Sequence, residues 1–165
     1  MKDWKGAGRS GLMRMIGASN HSETKRVEHD FYATDPSALE TLLKHETFSH
    51  NVWEPCCGMG HLSQVLKHHG HNVKESDIVD RIGNEVIDFL AFPPQFDGDI
   101  VTNPPYAMAR ECVENAMNCI PDGHKVAMFL KLTFLEGKAR KALFRNYPPP
   151  YHLCLLRTSE VCSQW

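Results

Sequence analysis

The stretch of this 165-residue chain best equipped for chemistry is Asn103-Pro104-Pro105-Tyr106. It offers a neutral amide, the carbonyls of two residues that have no N–H of their own, and an aromatic ring. Acceptors placed like this can take the N–H groups of an exocyclic amine. Such an amine is a poor nucleophile because its lone pair is delocalised into the ring that bears it. Hydrogen bonds to the Asn103 side-chain oxygen and the Pro104 carbonyl would favour a pyramidal nitrogen with a localised pair. Tyr106 supplies a face on which a base lifted out of its stack can rest.

The element that must hold this motif is the apolar run Asp99-Ile100-Val101-Thr102 before it. A short apolar run closed by two prolines reads as a buried strand that stops abruptly, since proline donates no N–H and keeps the preceding residue extended. In an open α/β sheet, ligands sit at the carboxyl ends of such strands. A second strand is expected at Asn51-Val52-Trp53-Glu54. The Gly-containing loop Pro55-Cys56-Cys57-Gly58-Met59-Gly60 follows it, then a helix over 61–69 with Leu62, Val65 and Leu66 on one face and Gly70 just past its end. Glycines there let a ligand approach the backbone beside the helix N-terminus. No Gly-Lys-Ser/Thr follows, so the expected ligand is a nucleoside with a carboxylate or amine tail rather than a triphosphate.

Residues 72–77 read as the next strand, ending in Asp77 with Ile78 beside it. The acid lies about 20 residues past the Gly loop, where nucleoside-binding units carry the carboxylate that accepts ribose hydroxyls. The apolar segment 85–90 holds Asp88 and Phe89, an acid and a ring able to bond an adenine amino group and stack on its plane. Upstream, Asp35 and Pro36 are the N-cap and first residue of a helix bearing Leu39, Leu42 and Leu43, which leaves Tyr32 and Thr34 just outside it to face a pocket. Downstream, a helix is expected over 109–120, a central parallel strand over 125–130, a polar helix over 136–145 and a last strand over 151–156.

Residues 1–28 read as a flexible basic arm ahead of one domain at 29–165. The Gly6-Ala7-Gly8-Arg9-Ser10-Gly11 match to GxGxxG within it follows no strand and is discarded. A net charge of -2 argues against a general polyanion binder. The six cysteines form no CxxC, and no secretory leader or membrane span is visible, so a cytoplasmic protein in a reducing compartment is expected. His61, His68, His69 and His71 near Cys56 and Cys57 lack zinc-site spacing, and no metal is expected. Oligomeric state is not readable.

The loop Glu54-Pro55-Cys56-Cys57-Gly58-Met59-Gly60, the acid Asp77, the Asp88-Phe89 pair and Asn103-Pro104-Pro105-Tyr106 resemble, in order and spacing, class I S-adenosylmethionine-dependent methyltransferases. Tyr32-Ala33-Thr34-Asp35-Pro36 and Phe134-Leu135-Glu136-Gly137 make the likeness strongest to phage- and prophage-type DNA N6-adenine methyltransferases, over roughly residues 29–157. The resemblance implies a doubly wound, mostly parallel α/β sheet flanked by helices, Rossmann-like, ending before its C-terminal strand pair is complete. It implies S-adenosyl-L-methionine as cofactor and DNA as partner. Gly58 and Gly60 would pass under the cofactor with Pro55, Cys56 and Ile78 nearby. Glu54 would orient the methionine end, Asp77 would hold the ribose, Asp88 and Phe89 the adenine, and Tyr32 and Thr34 would close over the methionine side, with Asn103 between cofactor and amine. Alternatives carried by the same motif are amino methylation of a protein glutamine or of ribosomal RNA, or a truncated cofactor-binding domain without activity.

Overall fold

The computed structural model describes residues 34–91, 93–150, 154–155 and 161–162; Tyr32 and the arm 1–28 lie outside the described residues. Helix α1 (Pro36–His45) starts as its sequence dictates, with Asp35 in extended conformation accepting from the Ser37 N–H at 2.9 Å and Pro36 at the first position. Strand β1 (Asn51–Glu54) leads through the Gly loop to α2 (His61–His68). That helix ends in a Schellman arrangement. Gly70, at φ 87°, donates to Lys67, and His71 donates to Leu66.

Strands β2 (Asn72–Asp77), β3 (Glu85–Val86) and β4 (Asp99–Thr102), helix α3 (Ala109–Cys119) and strand β5 (Val126–Met128) complete the main body. The five strands form one all-parallel sheet in the order β3-β2-β1-β4-β5. Side chains alternate across it, so each strand feeds both faces. Val52 and Val101 join Leu39, Leu42, Leu62, Val65 and Leu66 in the core under α1 and α2. Trp53 and Ile100 join Phe89, Cys112, Ala116, Cys119 and Ile120 in the core under α3. Covering both faces explains why β4 is buried along its whole length and reads as an unbroken apolar run after Asp99.

Four expectations are corrected. The apolar run 125–130 is not central: β5 ends the five-stranded sheet and its residues are only half-buried. The segment 85–90 is a strand for two residues, after which 89–91 turn. The polar helix over 136–145 is shorter, because Gly137 sits at φ 106°; a 3-10 turn (Lys138–Arg140) leads into α4 (Lys141–Asn146). The last strand is β6 (Cys154–Leu155), which pairs antiparallel with β7 (Val161–Cys162) in a two-stranded sheet of their own.

Candidate active site

The strand order runs leftward from β1 to β2 and β3 and rightward from β1 to β4 and β5. Between β1 and β4 the connections therefore leave in opposite directions, which opens a crevice at the carboxyl ends of the two strands. The register pairs Val52 with Asp99 and Trp53 with Ile100. Continued three residues, it brings Asn103 level with Cys56. The two sequence motifs thus meet at one edge of the sheet.

On the β4 side, Asn103 Nδ2 donates to Thr34 Oγ1 at 2.8 Å, linking the motif to the residue ahead of the α1 cap. With the NH2 used in this way, Oδ1 is the atom by which the amide accepts. The chain then enters a 3-10 turn (Tyr106–Met108), closed by the Met108 N–H donating to the Pro105 carbonyl at 2.9 Å. That occupies one of the two proline carbonyls, so an amine-facing role falls to Pro104. The half-buried Tyr106 lies under Lys131, whose Nζ is 4.7 Å from the ring centroid. Tyr106 borders a small open hollow of about 80 Å³ also lined by Leu130, Phe134 and Arg140.

On the β1 side, Gly60 is left-handed, at φ 73°, and a Cβ there would stand 2.9 Å from Ile82 Cδ1. Gly60 has no side chain to cap α2. Glu54 does so instead, from the end of β1, accepting from the Ser63 N–H at 2.9 Å and from the Ser63 hydroxyl. A carboxyl at this end of a helix also meets the favourable end of its dipole. Burial, only partly offset by Ser63, pushes Glu54 up to about 8. Its nearest task is thus to fix the loop on the helix.

Asp77, at the end of β2, accepts from the Gly58 N–H at 2.9 Å, the Val79 N–H at 3.2 Å and Arg81 Nη1 at 3.0 Å. The Gly loop and the acid are consequently one unit. Ile78 beside it is half-buried. Asp88 accepts from the Leu90 N–H in a local turn and stays half-buried. Phe89 departs from expectation. It is fully buried, edge-on to Trp53 with centroids 5.3 Å apart, and so packs beneath α3 rather than presenting a stacking face. Pro55 and Cys57 are buried in the loop's base. Hydrogen bonding with the Cys112 thiol, then burial, raises the Cys56 thiol well above its usual range, and burial pushes Cys57 up to about 12. Neither is a thiolate at neutral pH, so neither suits nucleophilic chemistry. Among the described residues no group of three or more His, Cys, Asp or Glu is placed to hold a metal ion.

Two features escaped the sequence reading. Ser63 looks like an ordinary helix residue, and only the fold brings it to Glu54. Arg81 carried no signal beyond standing four residues after Asp77.

No family model, curated protein or solved structure matches the chain. The reading of the site therefore rests on its own residues.

Proposed function

We propose that the protein transfers a methyl group from S-adenosylmethionine to the N6 amino group of adenine in DNA. The observation that supports this most is the meeting of Asn103 and the Gly58–Gly60 loop across the β1/β4 crevice, with the Asn103 amide held by Thr34. A class I methyltransferase sheet uses that crevice for a nucleoside, and the all-parallel strand order accords with it.

The residues fit such a cofactor. The left-handed Gly60 lets the loop turn sharply into α2, and the buried Asp77 stands at the end of β2 where a ribose would be met. Gly58, Gly60, Asp77, Ile78 and Asp88 would hold it. When bound, it supplies a methyl group activated by a sulfonium. Glu54 keeps the loop in register by capping α2. Asn103 and the Pro104 carbonyl receive the two amine N–H groups, which localises the nitrogen lone pair. Tyr106 stacks on the base and offsets part of the few kcal/mol lost on unstacking it. Positioning of this kind supplies much of the rate in a direct displacement, and no general base is needed to begin it.

Incubation with labelled S-adenosylmethionine and mixed-sequence DNA should place label in N6-methyladenine. Label only on protein or RNA would overturn the assignment. Asn103→Ala should keep cofactor binding and lose transfer, whereas undiminished turnover would remove Asn103 from the reaction.

A further inference from the structure

The methyl-transfer reading names an acceptor for the base but nothing that grips the strand carrying it. Between Lys131 and Arg145 the chain holds Lys131, Lys138, Arg140, Lys141 and Arg145 against the single acid Glu136, in a protein whose net charge is -2. Arg140 is spent inward: its guanidinium donates to the carbonyls of Thr133 and Glu136 and lies 4.9 Å from the Phe134 ring centroid, bracing the wall of the Tyr106 hollow. Lys138, Lys141 and Arg145 are different. They stand one turn apart along the continuous helical segment formed by the 3-10 turn and α4. Leu143, 2 % exposed, points the opposite face into the protein, so these cations form one outward row.

Five cations elsewhere, Lys67, Lys74, Arg81, Arg110 and Lys125, each meet a carboxylate. Lys138, Lys141 and Arg145 meet none among the described residues. Nor does helix stability call for them. Arg145 suits a helix C-terminus, but Lys138 and Lys141 stand at the N-terminal end, where the helix dipole disfavours positive charge. Successive turns rise about 5–6 Å, so the row is a short track of cations leading away from the Arg140 wall of the hollow.

We infer that Lys138, Lys141 and Arg145 form a phosphate-binding row that holds the DNA backbone while the target base occupies the hollow at Tyr106. The inference rests on the methyltransferase reading and deepens it by making the substrate a polyanion rather than a protein amide. Phosphate contacts of this kind position a strand without reading its sequence.

The test is fluorescence anisotropy of an end-labelled, mixed-sequence DNA duplex titrated with the full chain over a salt series, beside calorimetric titration with S-adenosylmethionine. Each phosphate contact adds about 0.9 to the slope of log affinity against log salt, so K138E/K141E/R145E should lower that slope by about 2 to 3 and weaken binding at least ~10-fold. K138Q/K141Q/R145Q should change both in the same direction by less. Cofactor affinity should stay as in the parent chain. If both variants keep the parent's DNA affinity and salt slope while binding cofactor, the row is not the grip. A parent chain that binds cofactor but no DNA overturns the inference alone, and tighter binding to an RNA of equal length overturns DNA as the ligand. A parent chain that binds neither cofactor nor DNA overturns the methyltransferase reading itself.

Discussion

Asn103 and Thr34, 69 positions apart in the chain, are joined by a 2.8 Å hydrogen bond from the amide Nδ2 to the hydroxyl. The bond fixes the plane of the amide at the end of β4. Thr34 is thereby a positioning residue, acting on the proposed reaction through Asn103. Thr34→Val should lower turnover about 5- to 30-fold, the equivalent of roughly 1–2 kcal/mol for one lost orienting hydrogen bond. Cofactor Kd should move less than turnover, and Thr34→Ser should restore most of the rate. Equal rates for Thr34→Val and the parent would show that the amide holds its place without this partner.

Glu54 makes stability depend on pH. Its carboxyl is raised from 4.5 to about 8 in the folded chain. Between those values the native state keeps a proton that the unfolded state has released, so stability falls as pH rises and levels off above about 8. The fall attributable to Glu54 is on the order of 3–5 kcal/mol. His124 contributes a fall of the same sign near neutrality, because its hydrogen bonds to Asp99 and Asp97 raise its pKa and favour its charged form. Urea melts of the parent and Glu54→Gln across pH 5 to 9 separate the two, for the difference curve contains Glu54 alone. A difference curve that is flat would refute the raised value.

Arg81 competes with any ribose for Asp77. The pair is partly exposed, and such pairs contribute about 0–1 kcal/mol. Arg81→Gln should therefore tighten S-adenosylmethionine binding by up to about 5-fold in calorimetry. Weaker binding would instead mean that Arg81 is itself a contact of the cofactor.

Gly60→Ala combines two costs. The left-handed backbone alone disfavours a side chain by roughly 1–2 kcal/mol. The new methyl group would also meet Ile82 Cδ1, the movable end of a flexible side chain. In an Ile82→Ala background the same substitution should cost less but not nothing, as read from thermal or urea melts. An identical cost in both backgrounds would show that the backbone term acts alone.

Local rules made much of this fold readable. The Asp35-Pro36 cap, the proline stop after Thr102 and Gly70 behind α2 each act within a few residues, and the structure forms α1, β4 and α2 there. The central position expected for 125–130 failed because apolar content reports coverage of a strand's faces, not its neighbours along the sheet. The helix expected over 136–145 ran through Gly137, whose positive φ breaks the segment. Phe89 was legible as an aromatic after an acid. Whether its ring faces a ligand or Trp53 depends on where α3 lies, which no local pattern contains. The same holds for Ser63 beneath Glu54 and for Thr34 beside Asn103, since each contact is created by the packing of helices against strand ends rather than by local spacing.

At the opposite end of β4, Asp99 is nearly buried and accepts from the Ser49 N–H at 2.6 Å, the Lys125 N–H at 2.8 Å and His124 Nδ1 at 3.0 Å. Burial opposes its charge, but these hydrogen bonds prevail and hold its carboxyl below the ordinary range. One side chain thus ties the start of β4 to the segments that precede β1 and β5. The strand is a short beam clamped at its root, and its amides should be among the last to exchange with solvent. In the proposed reaction, any motion that admitted and released a base would then arise beyond Thr102, in the Pro104–Pro105 joint and the turn at Tyr106, while the beam beneath kept its aim.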